Sequence, residues 1–158
     1  MFRISKLTDY GTVVLARLAE ADEELLSATE IAAATGLGTP TVSKLLKQLA
    51  RAELVTSERG ANGGYRLARA PGAITAAEII DALEGPVAIT ECSGQDSSCE
   101  FEEVCTVGNS WQQINLQIRR ALADISLTEL QKARPVIPTF RLVPMPAGIP
   151  RGNKSDQH

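Results

Sequence analysis

Residues 27–51 carry the boundary signals of two short helices separated by only a few residues. Ser27-Ala28-Thr29-Glu30 is a capping box, in which the Ser27 and Glu30 side chains each satisfy a backbone N–H group at the start of a helix. Gly36 supplies a left-handed stop, and Thr39-Pro40 then gives a cap residue followed by proline at the first helical position. Two short helices joined by a turn of about three or four residues predict a helix-turn-helix.

The second of these helices, expected from Thr39 to about Arg51, has two distinct faces. Its apolar residues recur at helical spacing and predict a buried stripe of Val42, Leu45, Leu46 and Leu49. The outer face is polar and basic and comprises Thr41, Ser43, Lys44, Lys47, Gln48 and Arg51. Taken alone, the two helices are equally consistent with a DNA-binding helix-turn-helix and with an ordinary helical hairpin whose lysines are solvated.

The next residues favour DNA binding, because they predict a glycine-tipped β-hairpin. Residues 54–59 are strand-like, and residues 60–64 contain Asn-Gly within a glycine-rich turn. Residues 65–67 then form the second strand of the hairpin. A hairpin directly after a capped, basic helix is typical of the wing of a winged helix, and Arg59 beside its tip can enter a narrow minor groove. An ordinary surface hairpin is the alternative. The order of elements predicts a mainly α fold with a small β wing.

The charge of the chain is unevenly distributed, in a way that supports this interpretation. The whole sequence has a formal net charge of −3. Residues 39–69 nevertheless contain six Lys/Arg and two Asp/Glu, a local charge of +4. A basic stretch in an otherwise acidic protein indicates an anionic partner, such as double-stranded DNA, more directly than the overall charge does.

Capping residues and apolar residues at helical spacing predict further helices in the rest of the chain. We expect a first helix over residues 8–20 with Thr8 or Asp9 as its N-cap, and a short helix that begins at the capping box Thr75-Ala76-Ala77-Glu78. A longer helix over residues 109–125, capped by Asn109 or Ser110, carries an apolar stripe that it cannot bury alone. It therefore folds back on the first domain or packs against a second copy. The stripe comprises Trp111, Ile114, Ile118, Leu122 and Ile125.

The sequence therefore divides into four parts. A winged helix-turn-helix domain occupies residues 1–70, and residues 71–108 hold the short helix and a loop with all three cysteines. Residues 109–134 hold the long C-terminal helix, expected to dimerise, and a short terminal helix that starts at a third capping box, Ser126-Leu127-Thr128-Glu129. Residues 135–158 contain five prolines and no periodicity, and we expect them to be disordered.

Cys92, Cys99 and Cys105 form a C-x6-C-x5-C cluster that predicts a metal or redox function. No apolar leader or membrane-length apolar segment occurs, so we expect a cytoplasmic protein with no membrane partner, in which thiols stay reduced. The spacing lacks the tight cysteine pair of most zinc sites, whereas a longer loop can wrap an iron–sulfur cluster. A thiol switch, in which two of the cysteines oxidise to a disulfide, is the alternative.

Several of these segments together resemble the Rrf family of bacterial winged-helix regulators, and most closely its SUF-system iron–sulfur assembly regulators. The resemblance covers residues 2–133 and rests on ISKLTDYG, the RGANGGYRL wing, ITAAEIIDALEGP, the three-cysteine loop and WQQIN. It implies a homodimer whose long helices pack across the two-fold axis. It also implies an iron–sulfur cluster, with 2Fe-2S favoured and 4Fe-4S possible, whose occupancy changes the affinity for operator DNA.

The resemblance implies a set of cluster ligands as well. The family's three cysteines correspond to Cys92, Cys99 and Cys105. One iron–sulfur assembly branch places a histidine three residues after the last cysteine, where this chain has Gly108. The related nitric-oxide-sensing branch uses an aspartate at the start of the first helix, given by the other subunit, and Asp9 occupies that position here. We therefore expect Asp9 of the second subunit as the fourth ligand.

Together these features predict a dimeric transcription regulator, a repressor of iron–sulfur assembly genes, that reads a near-palindromic operator. An enzyme is not expected, because no nucleophile, base and pocket motif occur together. The alternatives are a thiol-switch regulator without a cluster and, in a different class, a small iron–sulfur scaffold or electron carrier. The residues expected to contact DNA are Thr39 and Thr41 at the helix N-terminus, Ser43 at a base edge, Lys44 and Lys47 at phosphates, and Arg59 in the minor groove.

Overall fold

A computed structural model of the chain describes residues 4–88 and 108–132. Within these residues three helices are followed by a β-hairpin, a 3-10 turn at Pro71–Ala73 and three further helices, which confirms the predicted mainly α fold with a small β wing. The expected disordered tail lies outside the described residues. The helices are α1 (Lys6–Glu20), α2 (Ala28–Thr35), α3 (Thr39–Arg51), α4 (Ala76–Glu84), α5 (Gly108–Ala123) and α6 (Leu127–Lys132), and the strands are β1 (Val55–Glu58) and β2 (Gly64–Leu67).

Helix α1 begins earlier than its own sequence predicts. The Ser5 Oγ accepts the backbone N–H groups of Leu7 and Thr8 at 3.2 and 3.4 Å, so Ser5 is the N-cap. The prediction of Thr8 or Asp9 as the cap is wrong, since both residues lie inside the helix. A distant residue, Glu84 at the end of α4, supports the earlier start by accepting the Ser5 N–H at 2.9 Å and the Thr8 hydroxyl. The hydrogen bond from Thr8 lowers the pKa of Glu84.

Helices α2 and α3 form the predicted helix-turn-helix, with one boundary displaced. Both halves of the Ser27–Glu30 capping box are present, and Gly36 ends α2 at a φ of 73° in the left-handed region. Gly38, not Thr39, is the N-cap of α3, so Thr39 and Pro40 both lie in the first turn. Proline is tolerated there because the first N–H groups of a helix have no intrahelical partner. A glycine cap offers no side-chain oxygen, so no side chain caps the start of α3.

The buried stripe of α3 is confirmed and forms the centre of the core. Val42, Leu45, Leu46 and Leu49 are completely buried. They belong to one apolar cluster with residues of α1, α2, the hairpin and α4. Burial of each such side chain contributes about 1.5–3 kcal/mol relative to an exposed position. Because this stripe faces inward, the opposite face of α3 is turned to solvent.

The hairpin is attached to the helix-turn-helix through one residue. Strands β1 and β2 pair antiparallel, with Val55 opposite Leu67. Leu26, directly before the cap of α2, pairs in turn with Tyr65 of β2, and its backbone N–H and C=O groups form hydrogen bonds of 3.0 and 2.8 Å. Gly64 allows this approach, because a Cβ atom there would lie 2.8 Å from the Leu26 carbonyl oxygen. The wing and the start of α2 are therefore held in a fixed relation.

A second bridge joins the C-terminal helices to the rest of the fold. Thr75 and Ser126, the residues before α4 and α6, pair antiparallel. The Ala76 N–H group donates to the Ile125 carbonyl and the Leu127 N–H group to the Ile74 carbonyl, both at 2.8 Å. Both predicted capping boxes are present here, since Glu78 and Glu129 each accept the N–H group of the residue that caps their helix. The end of α5 is consequently fixed against the start of α4.

Helix α5 folds back on the domain and still leaves much of its apolar stripe open. It extends from Gly108, before the expected caps, to Ala123, so Ile125 of the predicted stripe lies beyond its end. The helix packs mainly against α4. Ile118 and Leu122 are half-buried, whereas Trp111, Ile114 and Ile125 remain 41%, 44% and 39% exposed. Folding back therefore covers only part of the stripe.

We expect Gly64→Ala to destabilise the fold by about 1–3 kcal/mol, because the added methyl group meets backbone atoms of Leu26 that cannot move without breaking the bridge. Urea unfolding followed by circular dichroism, at one fixed protein concentration, measures the change. Gly72→Ala is the matched control, because the nearest atom to a Cβ there is the Thr128 Oγ1 at 3.8 Å. Equal stability of the two variants would show that the Leu26 bridge does not hold the wing.

Candidate nucleic-acid interface

The exposed face of α3 presents the predicted DNA-contacting side chains together. Thr39, Lys44 and Lys47 are exposed, and Thr41 and Ser43 are half-buried at the edges of the same face. In the part of the chain that the structure describes, neither lysine forms an ion pair. Two unpaired ammonium groups on one face of a helix can each contact a phosphate.

The N-terminus of α3 adds backbone donors to this face. Gly38 provides no side-chain cap, and the N–H groups of Thr39 and Thr41 lie in the first turn, where no intrahelical acceptor is available. The positive end of the helix dipole lies at the same place. Oriented N–H groups with a partial positive charge favour an anion such as a backbone phosphate.

The wing tip places one arginine beside a narrow glycine turn. Arg59 follows β1 directly and is exposed. The Gly63 N–H group donates to the Gly60 carbonyl at 3.1 Å and closes the turn, and Gly60 has a φ of 122°. A Cβ atom on Gly63 would lie 2.3 Å from the Glu58 carbonyl oxygen, so the tip has no room for a side chain there. The tip is thin enough to approach a sugar–phosphate backbone closely.

An ion pair in the wing was not evident from the sequence. Arg66 of β2 contacts Glu58 of β1 at 2.8 Å. The two residues are diagonal neighbours, because Arg66 lies opposite Thr56 and Glu58 opposite Gly64. Arg66 therefore balances the negative charge of Glu58, the residue before Arg59. Without this pairing the Glu58 carboxylate would repel phosphates. This ion pair depends on the register between β1 and β2, which the sequence alone does not determine.

Of the four candidate cluster ligands, the structure describes only Asp9. Cys92, Cys99 and Cys105 lie outside the described residues, between α4 and α5. Asp9 is exposed on α1, close to its N-terminus, and its carboxylate has no hydrogen-bond or ion-pair partner within 4–88 and 108–132. Across those residues, no three or more His, Cys, Asp or Glu side chains are grouped in a way that could hold a metal ion.

An apolar groove borders Asp9. It has a volume of about 480 Å³ and lies between α1, α4, α5 and α6. Ile4, Ile79, Ile80, Leu122 and Ile125 form much of its wall. The groove shares Leu122 and Ile125 with the predicted apolar stripe, and Asp9 is among the residues that line it.

A family model described as Rrf2, an iron-dependent transcriptional regulator, matches residues 4–133. A putative helix-turn-helix transcriptional regulator of Azotobacter vinelandii is 39% identical over 105 residues, which are 66% of this chain and 63% of that protein. The chain thus spans just under two thirds of this relative's length. No helix in the described part of the chain has both the length and the apolar character needed to cross a membrane.

Two solved structures have a similar fold. The global cysteine regulator CymR of B. subtilis has a TM-score of 0.64 and 32% identity, over 84% of this chain and 98% of that one. The IscR protein of T. potens has a TM-score of 0.61 and 30% identity, over 83% of this chain and 87% of that one. Both similarities extend well beyond the helix-turn-helix.

We expect Lys47→Ala to weaken binding to duplexes of any sequence and to reduce the slope of log K against log salt concentration by about one unit, because one phosphate contact is lost. Fluorescence anisotropy with a labelled random-sequence duplex across a salt series measures the slope. Lys132→Ala, on α6, removes the same charge from a helix outside the proposed interface and should leave the slope unchanged. An unchanged slope for Lys47→Ala would place Lys47 away from the phosphates.

Proposed function

Because the chain belongs to the Rrf2 family of iron-dependent transcriptional regulators, we propose that it is a homodimeric repressor whose affinity for operator DNA depends on an iron–sulfur cluster. It is a DNA-binding regulator and not an enzyme, as the family and both structural relatives indicate. One observation carries the finer proposal. All three cysteines lie between α4 and α5, the two helices that connect the DNA-binding domain to the open apolar surface.

In the proposed complex, α3 lies in the major groove. The N–H groups of Thr39 and Thr41 and the ammonium groups of Lys44 and Lys47 contact phosphates and fix the position of the helix. Ser43, between them on the same face, contacts a base edge. Arg59 enters the minor groove from the wing tip, where attraction between a guanidinium group and a narrow groove reads DNA shape.

The dimer proposal is supported by the apolar surface of α5 and the adjoining groove. Trp111 and Ile114 are large apolar side chains exposed on α5, and Ile125 is exposed two residues after its end. A patch of this kind marks an interaction surface. A second copy of α5 has the apolar side chains needed to cover it. A two-fold dimer presents two α3 helices to two half-sites, so its operator is near-palindromic with half-site centres about 34 Å apart or a multiple of that distance.

The donor set fits an iron–sulfur cluster. Three thiolates are the ligands such clusters prefer, and the exposed Asp9 carboxylate has both oxygens available to complete the set from the second subunit. When bound, the cluster would supply a redox-sensitive centre whose loss reports iron shortage or oxidation. Asp9 lines the groove that adjoins the proposed dimer surface, and in this proposal it acts on the loop of the other subunit. A single carboxylate among thiolates is a weaker ligand, which suits a sensor.

The proposed targets are genes of iron–sulfur cluster assembly of the SUF type. The description of the family as iron-dependent and the similarity to an IscR protein support an iron-related signal. The resemblance of the cysteine loop and its flanking segments to SUF-system regulators supports this target class. Cytoplasmic location follows from the proposed role, because the operator is there.

A thiol switch without a cluster is the second candidate. The similarity to CymR, a global cysteine regulator, favours it, because that structure matches this chain at least as well as the IscR structure does. In this case, oxidation would join two of the three cysteines as a disulfide and leave one thiol. The DNA-binding and dimer surfaces would be the same in both candidates, so only the chemistry of the loop separates them.

We expect the chain purified without oxygen to be coloured, with visible charge-transfer absorbance and bound iron and sulfide, and Cys92→Ala to lose all three, because a cluster ligand is removed. Absorbance spectra with iron and sulfide analysis test this. Ser98→Ala, in the same loop, is the matched control and should stay coloured. A colourless wild-type chain whose DNA affinity changes with peroxide would instead establish the thiol switch.

We expect Asp9→Ala to retain the thiolate-bound cluster but to lose it about tenfold or more faster on exposure to a chelator, since one ligand is missing. Stopped-flow absorbance measures the loss, with Glu20→Ala at the other end of α1 as the control. A mixed dimer of one Asp9→Ala chain and one Cys92→Ala chain decides between subunits. It contains one complete site if Asp9 acts on the partner's loop, and none if Asp9 acts on its own.

A further inference from the structure

Helix α5 is fixed to the DNA-binding domain close to its C-terminal end. The Thr75–Ser126 bridge follows immediately after α5 and joins the start of α6 to the start of α4. Leu127, the first residue of α6, is completely buried, and the Gln131 side chain donates to the Ala16 carbonyl of α1 at 3.2 Å. One fixed end determines where a helix starts from but not the direction in which it points.

A second attachment lies about one turn before the end of α5. Arg119 donates to both carboxylate oxygens of Asp81 on α4, from Nη1 to Oδ1 at 3.1 Å and from Nη2 to Oδ2 at 2.7 Å. Both side chains are 31% exposed. This is a two-point contact between a planar guanidinium group and a planar carboxylate, which fixes orientation as well as distance.

The geometry of the pair points to positioning more than to folding stability. Partly exposed ion pairs contribute little to stability, because water screens them. A bidentate pair nevertheless restricts the angle between the two elements that carry it. From Arg119 to its first residue, Gly108, α5 extends about a further 16 Å. A small change of angle at the pair is therefore amplified along the helix.

We propose that the Arg119–Asp81 pair sets the angle of α5 on the DNA-binding domain, and thereby the spacing between half-sites that the dimer accepts. This inference rests on the proposed function, in which two α5 helices form the dimer interface. The two recognition helices are then separated by a distance that each α5 angle determines. Arg119 and Asp81 act through the helices that they join, so they are positioning residues and do not touch DNA.

The expected size of the effect follows from simple geometry. Half-sites lie about 34 Å apart and base pairs rise about 3.4 Å along the axis. A tilt of about twelve degrees over the roughly 16 Å from Arg119 to the start of α5 displaces one end of that segment by about 3.3 Å, or roughly one base-pair step. Releasing the pair therefore allows binding to sites whose spacing is longer or shorter by about one base pair.

Selection from a random duplex pool of about 40 base pairs, long enough for about four helical turns, tests the proposal and does not require the operator sequence. Full-length wild-type protein should select paired half-sites with one dominant spacing. Arg119→Ala and Asp81→Asn should select at least two spacings. Arg119→Lys keeps the charge but cannot form the two-point contact, so it should also broaden the distribution. The charge-swapped double variant, Asp81→Arg with Arg119→Asp, should narrow it again.

Arg120→Ala is the matched control, because Arg120 is the next residue on α5, is exposed and forms no ion pair among the residues that the structure describes. It should select the wild-type spacing. If Arg119→Ala fails to dimerise in solution, Arg119→Lys decides. Unchanged, sharp spacing for Arg119→Lys and Asp81→Asn would overturn the inference. A wild-type chain that selects only single half-sites would instead contradict the proposed dimeric function.

Discussion

Complete burial of four aliphatic side chains on α3 is the constraint on which the rest of the structure depends. Because that stripe is held between α1, α2, the hairpin and α4, the polar face of α3 can point only outward. The same core places the hairpin beside α3, and Leu26 then fixes the hairpin to the start of α2 through two backbone hydrogen bonds. Lys44, Lys47 and Arg59 thus belong to one rigid unit whose geometry is set from inside the core.

Local signals in the sequence were sufficient to predict the helices and strands, but not the contacts between residues far apart in the chain. The capping boxes at Ser27, Thr75 and Ser126 predicted three helix starts correctly, because both partners of each box lie within four residues. The start of α1 was predicted wrongly because its second partner, Glu84, is far away in the chain. The start of α3 was misplaced by one residue because proline fits the first and second helical positions almost equally well. The Arg66–Glu58 and Arg119–Asp81 pairs depend on strand register and helix contact, which no local pattern specifies.

The apolar stripe of α5 has one part that its own chain covers and another that, in our proposal, a second copy covers. The sequence allowed it either to fold back or to pair with a second copy, and the structure shows that folding back covers only part of it. Ile118 and Leu122 are half-buried, while Trp111 and Ile114 stay open. The candidate site has the same division. Its proposed DNA-contacting face is formed within one chain. The proposed cluster site needs a loop from one subunit and Asp9 from another, which no single-chain pattern can bring together.

Within residues 4–88 and 108–132, a glutamate side chain accepts a hydrogen bond at the start of each of four helices, and this makes those starts sensitive to acid. Hydrogen bonds lower the pKa of Glu30, Glu84 and Glu129, and at Glu78 they outweigh the opposing effect of burial. A carboxyl group with a lowered pKa in the folded state stabilises the fold above its unfolded pKa, near 4.5, and this contribution is lost as the pH falls through the folded value. Acid therefore loosens the starts of α1, α2, α4 and α6 together. Helix α3 begins at a glycine and has no carboxylate to protonate. The helices around α3 are therefore more sensitive to acid at their starts than α3 is.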